Sequence, residues 1–275
     1  MSNSRIVGNY AAAEAGLASD YGSISVVNST VSGNEATWSC CGGVTAYHGS
    51  VRVVNSTISG NLAVSSSAGV GAPKGLVQLV NSTITGNRVL GFICAVWAGD
   101  FYSYFSTIVD NVAAQGKGGA VSGFGRYTKG NIKLVGTIIS GNTAPDLDDY
   151  AADPPKVVGD HNIVGTVTYV GGTPFVVVPP DTLQCDPNLA PLAANGGLTQ
   201  TMALPAGSCA LDAGPSATQT ISTDQRGKPR AAGASTDIGA FERQCNNDPP
   251  QPDRLFLSEF EIDDCPSHAS AGGQP

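Results

Sequence analysis

The chain has 275 residues, of which 35 are Gly, and 13% of its residues are charged. Typical globular proteins hold roughly 7% Gly and 25% charged residues, so this surface is built from Gly, Ser, Thr and Asn more than from ions. A hydrophobic content of 41% argues against global disorder, and a net charge of −8 without any run of Lys or Arg argues against a nucleic-acid partner. No stretch approaches the roughly 18 consecutive apolar residues of a membrane-spanning helix.

The N-terminal residues 1–5 are not followed by the apolar stretch of a signal peptide. The rest of the composition is nevertheless typical of an extracellular protein, because Lys and Arg are few and seven cysteines are present. We therefore expect a secreted or cell-surface protein, here in a truncated form that lacks its signal peptide.

Five of the seven cysteines stand alone in the sequence, and only Cys40 and Cys41 are adjacent. Adjacent cysteines cannot chelate one zinc ion in the usual tetrahedral way, so we expect no zinc site. Disulfide bonds fit better, although the sequence leaves their connectivity open. The first pairings to consider are Cys185 with Cys209 and Cys245 with Cys265, since each closes a short loop.

A heptapeptide of the form Asn-Ser-Thr-Ile-Ser-Gly-Asn recurs along the first half of the chain. Its copies begin 25, 27, 26, 24 and about 30 residues apart, and periods of this length indicate a solenoid, an array or a propeller. Four copies are close and the last two are looser; the six are Asn3–Asn9, Asn28–Asn34, Asn55–Asn61, Asn81–Asn87, Phe105–Asn111 and Gly136–Asn142.

The local pattern of each repeat predicts short β-strands. Segments such as 26–31 and 51–58 alternate or run in β-branched residues and then stop at Gly-Asn, which is typical of strands that end in turns. A leucine-rich repeat would show Leu at fixed offsets and a helical return, and a propeller blade needs about 40 residues. The remaining prediction is an all-β fold, a β-solenoid with coils of about 25 residues.

Stacked coils would bring equivalent residues into columns. Within a column, residues of successive coils would lie about 4.8 Å apart. The Val/Ile column is predicted to point inward, by the two-fold alternation of strands. Asn tolerates left-handed turns and its amide can bond the Asn above and below, so the Asn column is predicted to form a ladder. The columns are Thr30, Thr57, Thr83, Thr107 and Thr137; Val31, Ile58, Ile84, Ile108 and Ile138; and Asn34, Asn61, Asn87, Asn111 and Asn142.

Four strings in the last third of the chain occur in a specific order. They are Asp186–Gly197 (DPNLAPLAANGG), Leu204–Gly214 (LPAGSCALDAG), Thr223–Arg230 (TDQRGKPR) and Asp237–Glu242 (DIGAFE). With the repeats before them, they resemble the choice-of-anchor Q domain family over about residues 1–243. The resemblance implies an exported bacterial protein with a right-handed parallel β-helix of the pectin-lyase-like class, and it implies a mode of attachment rather than a reaction.

On this basis the chain divides into three parts. Residues 1–180 are predicted to form the coils, 181–243 the end of the β-helix and its C-terminal cap, and 244–275 a Pro/Asp-rich linker with a short tail. A solenoid must shield its last coil from end-to-end pairing.

The charged residues of the predicted cap are the densest charged set in the chain. We expect the charges of Asp224, Arg226, Asp237 and Glu242 to neutralise one another over the final coil. In the same arrangement, Phe241 is expected to plug the apolar centre of that coil.

Two segments are candidate binding sites. Asp146, Asp148 and Asp149 lie in an insertion between coils and offer hard oxygen ligands for Ca²⁺, although their spacing also fits a solvated loop. Trp97, Tyr102 and Tyr104 belong to an aromatic run that is either a carbohydrate-binding surface or the core of one coil. The histidines are isolated, and we assign no catalytic residue and no further cofactor.

Two functions remain open. The first is a monomeric, exported, surface-associated protein with a structural, adhesive or glycan-contacting role, whose partner is a cell-surface or extracellular polysaccharide. The alternative is a polysaccharide lyase or glycoside hydrolase, whether active or degenerate. We favour the non-enzymatic role, since only an analogy of fold supports catalysis and fold does not imply function.

Overall fold

The structure is a computed structural model that describes residues 1–38, 41–91, 95–114, 120–122, 130–143, 147–149, 157–169, 178–215 and 221–244. These residues form β-strands, turns and irregular segments, and no helix occurs among them. They therefore contain no helix that is long and apolar enough to cross a membrane.

The described strands are short, apart from two that run around a corner of the coil. In chain order they are β1 (Arg5–Val7), β2 (Tyr10–Ala11), β3 (Leu17–Ser19), β4 (Ile24–Val27), β5 (Thr30–Ser32), β6 (Glu35–Ala36), β7 (Val44–Ala46), β8 (Val51–Val54), β9 (Thr57–Ser59), β10 (Leu62–Ala63), β11 (Val70–Val80), β12 (Thr83–Thr85), β13 (Arg88–Val89), β14 (Val96–Tyr104), β15 (Thr107–Val109), β16 (Val112–Ala113), β17 (Val121–Ser122), β18 (Ile132–Val135), β19 (Ile138–Ser140), β20 (Leu147–Asp149), β21 (Val157–Asp160), β22 (Ile163–Val164) and β23 (Val167–Tyr169).

These strands stack as parallel sheets of a β-solenoid, which confirms the predicted fold. One sheet, here called the threonine sheet, has the order β1-β5-β9-β12-β15-β19-β22, and a short sheet has the order β16-β13-β10-β6-β2. A third has the order β23-β20-β17-β14-β11-β7-β3, and β4, β8, β18 and β21 join it along the second halves of β11 and β14. Paired strands lie about 26 residues apart in sequence.

The inward Val/Ile column is confirmed for the middle coils. Val31 pairs with Ile58, Ile58 with Ile84 and Ile84 with Ile108, and all four side chains are buried in the main core. Each coil buries its β-branched side chains against the coils on both sides. This burial supplies most of the stabilisation of a solenoid.

The sixth repeat is shifted by one residue from the predicted columns. Thr107 pairs with Ile138 and Ile108 with Ile139, so the placement of Thr137 in the Thr column and of Ile138 in the Ile column was wrong. The Asn ladder explains the shift: Asn111 Nδ2 donates to Asn142 Oδ1 at 2.9 Å, and counting back from that bond puts Thr137 opposite Ser106.

The Asn ladder itself is confirmed. In each step the side-chain Nδ2 and the main-chain N–H of one Asn donate to Oδ1 of the Asn in the next coil, at 2.8–3.1 Å. The ladder residues do not adopt the left-handed conformation expected for them. Positive φ occurs at the first Asn of the heptapeptide, as in Asn28 (φ 48°), and at its Gly, as in Gly33 (φ 62°).

The C-terminal residues 181–215 and 221–244, here called the C-terminal block, begin at the last strand of the threonine sheet, where Leu183 forms a parallel bridge with Ile163 of β22. Later residues of the block lie along the outer side of the threonine sheet. Thr57 and Thr83 bond the side chain of Gln225, Ala240 N–H donates to Thr107 Oγ1, and Gly239 N–H donates to the carbonyl of Gly136.

The apolar contacts of the C-terminal block agree with this position. Ile138 and Ile163 of the threonine sheet pack with Ile238 and Phe241 in a cluster separate from the solenoid core. The prediction that Phe241 plugs the centre of the last coil was therefore wrong. The Thr hydroxyls and the outward Ile side chains of the sheet need partners, and the block supplies both.

Two expected contacts within the C-terminal block are confirmed. Cys185 and Cys209 form a disulfide, and Arg226 Nε lies 2.8 Å from Asp224 Oδ2 with both side chains fully buried. Glu242 pairs with Arg230, at 3.4 Å. The other predicted disulfide, Cys245 with Cys265, lies outside the described residues, as do 245–275 of the predicted linker and tail.

Candidate functional site

A groove of about 520 Å³ runs beside the C-terminal block on the outer side of β8, β11, β14, β18 and β21. We call this outer side the tyrosine face. The groove is lined by Arg52, Gln78, Val80, Tyr104, Phe105, Lys133, Val135, Gly159, Asp160 and, from the block, Ile221.

Strand alternation explains which side chains reach the groove. In β8 the side chains of Val51 and Val53 enter the core, so Arg52 between them points outward. The parallel register then aligns Arg52 with Gln78, Gln78 with Tyr102 and Tyr102 with Lys133. These four residues form one polar column that follows the axis of the solenoid.

A second outward column lies two residues further along each strand. It contains Val80, Tyr104, Val135 and Asp160, in successive coils. The Lys133 ammonium lies 5.5 Å from the centre of the Tyr104 ring, which is within the range of a cation–π contact. An aromatic surface and a cation therefore lie together in the middle of the groove.

The groove is positively charged at two points although the whole chain carries a net charge of −8. Arg52 and Lys133 are three coil steps apart, which is about 14 Å at the usual inter-strand spacing. The exposed Arg52 Nε donates to Gln78 Oε1 at 3.0 Å, which orients the guanidinium. Asp160, one coil beyond Lys133, places a carboxylate at the far end.

The predicted carbohydrate-binding aromatics do not stay together. Tyr102 and Tyr104 are half-buried on the tyrosine face, and Tyr104 lines the groove. The Trp97 side chain is 7% exposed, aligned with Gly71 in the preceding coil, so its ring has no open face for a sugar.

The predicted calcium ligands are only partly described. Asp146 lies outside the described residues, and Asp148 and Asp149 lie in β20. Among the residues that the structure describes, no group of three or more His, Cys, Asp or Glu side chains is arranged to hold a metal ion. The Ca²⁺ site stays a prediction.

A second groove, of about 300 Å³, lies on the other side of the C-terminal block. It is lined by Asp110 from the solenoid and Asp186 from the block. Asp110 has φ 57° at a turn where neighbouring coils have a Gly, such as Gly86. Burial, reinforced by the charge of Asp186, raises the pKa of Asp110.

Sequence reasoning missed most of these residues. Arg52, Gln78 and Lys133 are isolated in the sequence, and only the coil register brings them into one column. The signal that would have found them is the outward position between two inward residues of each strand, such as Arg52 between Val51 and Val53, read coil by coil. Asp110 and Asp186 line one groove only because of where the C-terminal block lies. The repeat pattern of the sequence carries no information about that position.

Comparisons of the chain with protein-family models, with curated proteins and with solved structures found no match. The structure itself shows a parallel β-solenoid whose C-terminal block packs against the side of the threonine sheet. The resemblance to the choice-of-anchor Q domain family stays an expectation from the residues that carry it.

Proposed function

We propose that this protein is a non-enzymatic, secreted or cell-surface solenoid that binds an acidic glycan lengthwise in the groove of the tyrosine face. The observation that carries the proposal is the column of Arg52, Tyr102 and Lys133, flanked by Tyr104, along the solenoid axis. A linear ligand that follows the axis meets a cation, an aromatic surface and a second cation in turn.

The chemistry of these side chains fits an acidic sugar chain. Guanidinium and ammonium groups pair with carboxylate or sulfate groups, and ring faces offer apolar contact area at low entropic cost. The backbone of a stacked solenoid is ordered before binding, which lowers the conformational cost of holding a long ligand. From Arg52 to Asp160 the groove spans four coil steps, about 19 Å.

The extracellular location is part of the same proposal. The Cys185–Cys209 disulfide is compatible with an oxidising compartment, and the low content of Lys and Arg agrees with it. A surface position would present the groove to extracellular polysaccharide.

The experiment is a calorimetric titration with polygalacturonate and alginate oligosaccharides, with neutral dextran fragments as the ligand control. We expect binding of the acidic oligosaccharides alone, weakened by salt because the cations are solvent-accessible. R52Q/K133Q should lower the affinity at least tenfold. The matched variant R5Q/R88Q removes the same charge from β1 and β13 and should bind like the parent. Equal loss in both variants, or binding of dextran, would contradict the proposal.

The carboxylate pair of the second groove favours one alternative, a glycoside hydrolase. Two carboxyl groups that face one cleft, one with a raised pKa, are the arrangement by which such enzymes protonate a leaving group and activate a nucleophile. Incubation with the same polymers should then release reducing ends, and D110N should abolish the release. The non-enzymatic proposal expects no release from the parent protein.

A further inference from the structure

The charged side chains that fasten the C-terminal block are buried and unequal in number. The acids Asp224, Asp237 and Glu242 are each 3% exposed or less, and they face two guanidinium groups, those of Arg226 and Arg230. With every group ionised, the cluster would hold one uncompensated negative charge away from water. Burying such a charge is costly, so a cluster of this kind tends to retain a proton.

Glu242 occupies the centre of this cluster. Its Oε2 accepts from Arg230 Nη1 at 3.4 Å and from the Asp237 N–H at 2.8 Å. Its Oε1 is buried without a hydrogen-bond partner. Asp224 lies close as well, since its Oδ2 accepts from the Glu242 N–H at 3.1 Å and from Arg226 Nε.

The neighbours of the other two acids complete the charged surroundings. Asp237 accepts from the N–H groups of Asp212 and Arg243, at 2.8 and 2.7 Å. Asp224 Oδ1 accepts from the N–H of Lys228 at 3.0 Å. Burial raises the pKa of Asp237 to about 6, and the two backbone donors offset this only in part. Glu242 accepts a single backbone N–H, so it has less compensation than Asp237.

The solenoid faces the same cluster through uncharged groups. Arg230 Nη2 donates to Asn81 Oδ1 at 2.8 Å, and the Arg230 guanidinium lies 4.1 Å from the centre of the Phe105 ring. Arg230 is therefore the link between the charged cluster and the coil beneath it. A change in the charge of Glu242 acts on this link directly.

We propose that the C-terminal block is a proton-dependent clasp, held against the threonine sheet while Glu242 carries a proton and loosened when Glu242 ionises. Because Ile221 of the block lines the groove of the tyrosine face, loosening would open one wall of that groove. This second step rests on the proposed function, whereas the clasp itself does not.

The direction of the pH dependence follows from burial. Desolvation, reinforced by the charge of Asp237, raises the pKa of Glu242 to about 8. Desolvation also lowers the pKa of Arg230 to about 10, so Arg230 stays charged where Glu242 titrates. A folded-state pKa above the unfolded value gives stability that is present at low pH and is lost as pH rises through the folded value, here between about 4.5 and about 8.

The test is hydrogen–deuterium exchange of the full chain at pH 6 and pH 9, corrected for the intrinsic exchange rate at each pH. Peptides that cover 199–204 and 223–242 should lose protection at least tenfold between the two values. E242Q, which is neutral at both, should change less than twofold. E35Q, on β6 of the short sheet, is the matched control and should behave like the parent.

Equal protection of the parent at both pH values, or the same loss in E242Q, would overturn the clasp. Should E242Q fail to fold, D237N serves instead, since removing the charge beside Glu242 lowers its pKa and should move the loss of protection to lower pH. If D237N lost protection at the same pH as the parent, that result would also contradict the clasp. The exchange measurement needs no glycan. If the protein shows this exchange pattern but binds no glycan at pH 6, the proposed function is refuted and the clasp is not.

Discussion

The solenoid and the C-terminal block are held together by different means. Within the solenoid, each coil bonds the next through uncharged groups at a repeated sequence separation, such as Asn61 with Asn87, 26 residues apart. The block attaches through contacts that no period describes, such as Arg230 with Asn81, 149 residues apart, and through buried ions. The same kind of contact recurs from coil to coil in the solenoid, whereas each contact of the C-terminal block occurs once.

The largest expected effect breaks the solenoid itself. Ile84 is fully buried between Ile58 and Ile108, so I84D would place an unpaired charge in the stack. We expect it to lower the free energy of unfolding by well over about 3 kcal/mol, measured by urea denaturation. I84V is the control and should cost about 1 kcal/mol. Equal stability of I84D and the parent would mean that the register is wrong.

A comparable change in the block should be local. R230M removes the partner of Glu242 and the bond to Asn81, and leaves buried acids uncompensated. Breaking a buried pair in this way costs about 3–5 kcal/mol, but here only the docking of the block depends on it, so we expect a cost near the lower end. Hydrogen exchange should rise in 223–242 and stay unchanged in the strands of the short sheet. Exchange rising equally in both regions would show that the two regions unfold as one.

A smaller effect is expected from the ladder. In N61A, the Asn34 amide and the carbonyl of Val31 lose their partner inside the stack. Leaving buried polar groups unpaired costs about 1–3 kcal/mol, measured by thermal unfolding. Asn9, the exposed first member of the ladder, gives the control N9A, which should cost less. A larger cost for N9A would contradict the idea that the ladder stabilises through burial.

The smallest effect concerns a departure from the repeat. Asp110 adopts a left-handed conformation that costs a non-Gly residue about 1 kcal/mol, and its carboxylate is repelled by Asp186. D110G restores the residue type found in the neighbouring coils and should raise stability by up to about that amount. The control G86D makes the reverse change one coil earlier and should lower stability. A destabilised D110G would mean that the Asp110 side chain stabilises the fold.

The repeat made much of the solenoid predictable. The inward position of Ile84, the Asn ladder and the fold class all follow from a period that brings like residues over like. The period failed at the sixth copy, where a longer coil let Ile138 take the place expected for Thr137. There the register follows the ladder residue Asn142: the residue four positions before it is Ile138, whereas in the earlier copies that position holds a Thr, such as Thr107 before Asn111.

The site and the position of the block were not predictable in the same way. Arg52 and Lys133 converge only through the register of four coils. The Trp97 ring is buried, although the sequence alone placed it with two half-exposed tyrosines. The C-terminal block contacts the outer side of the threonine sheet, whereas the sequence analysis placed it only at the end of the β-helix.

The most direct test of the account is the affinity of acidic oligosaccharides of increasing length, measured by calorimetry at pH 6. If the ligand lies along the solenoid axis, affinity should rise with each added sugar until the chain spans the groove from Arg52 to Asp160, about 19 Å, and then level off. R52Q/K133Q should flatten that rise. An affinity independent of length, or unchanged in R52Q/K133Q, would contradict lengthwise binding in this groove.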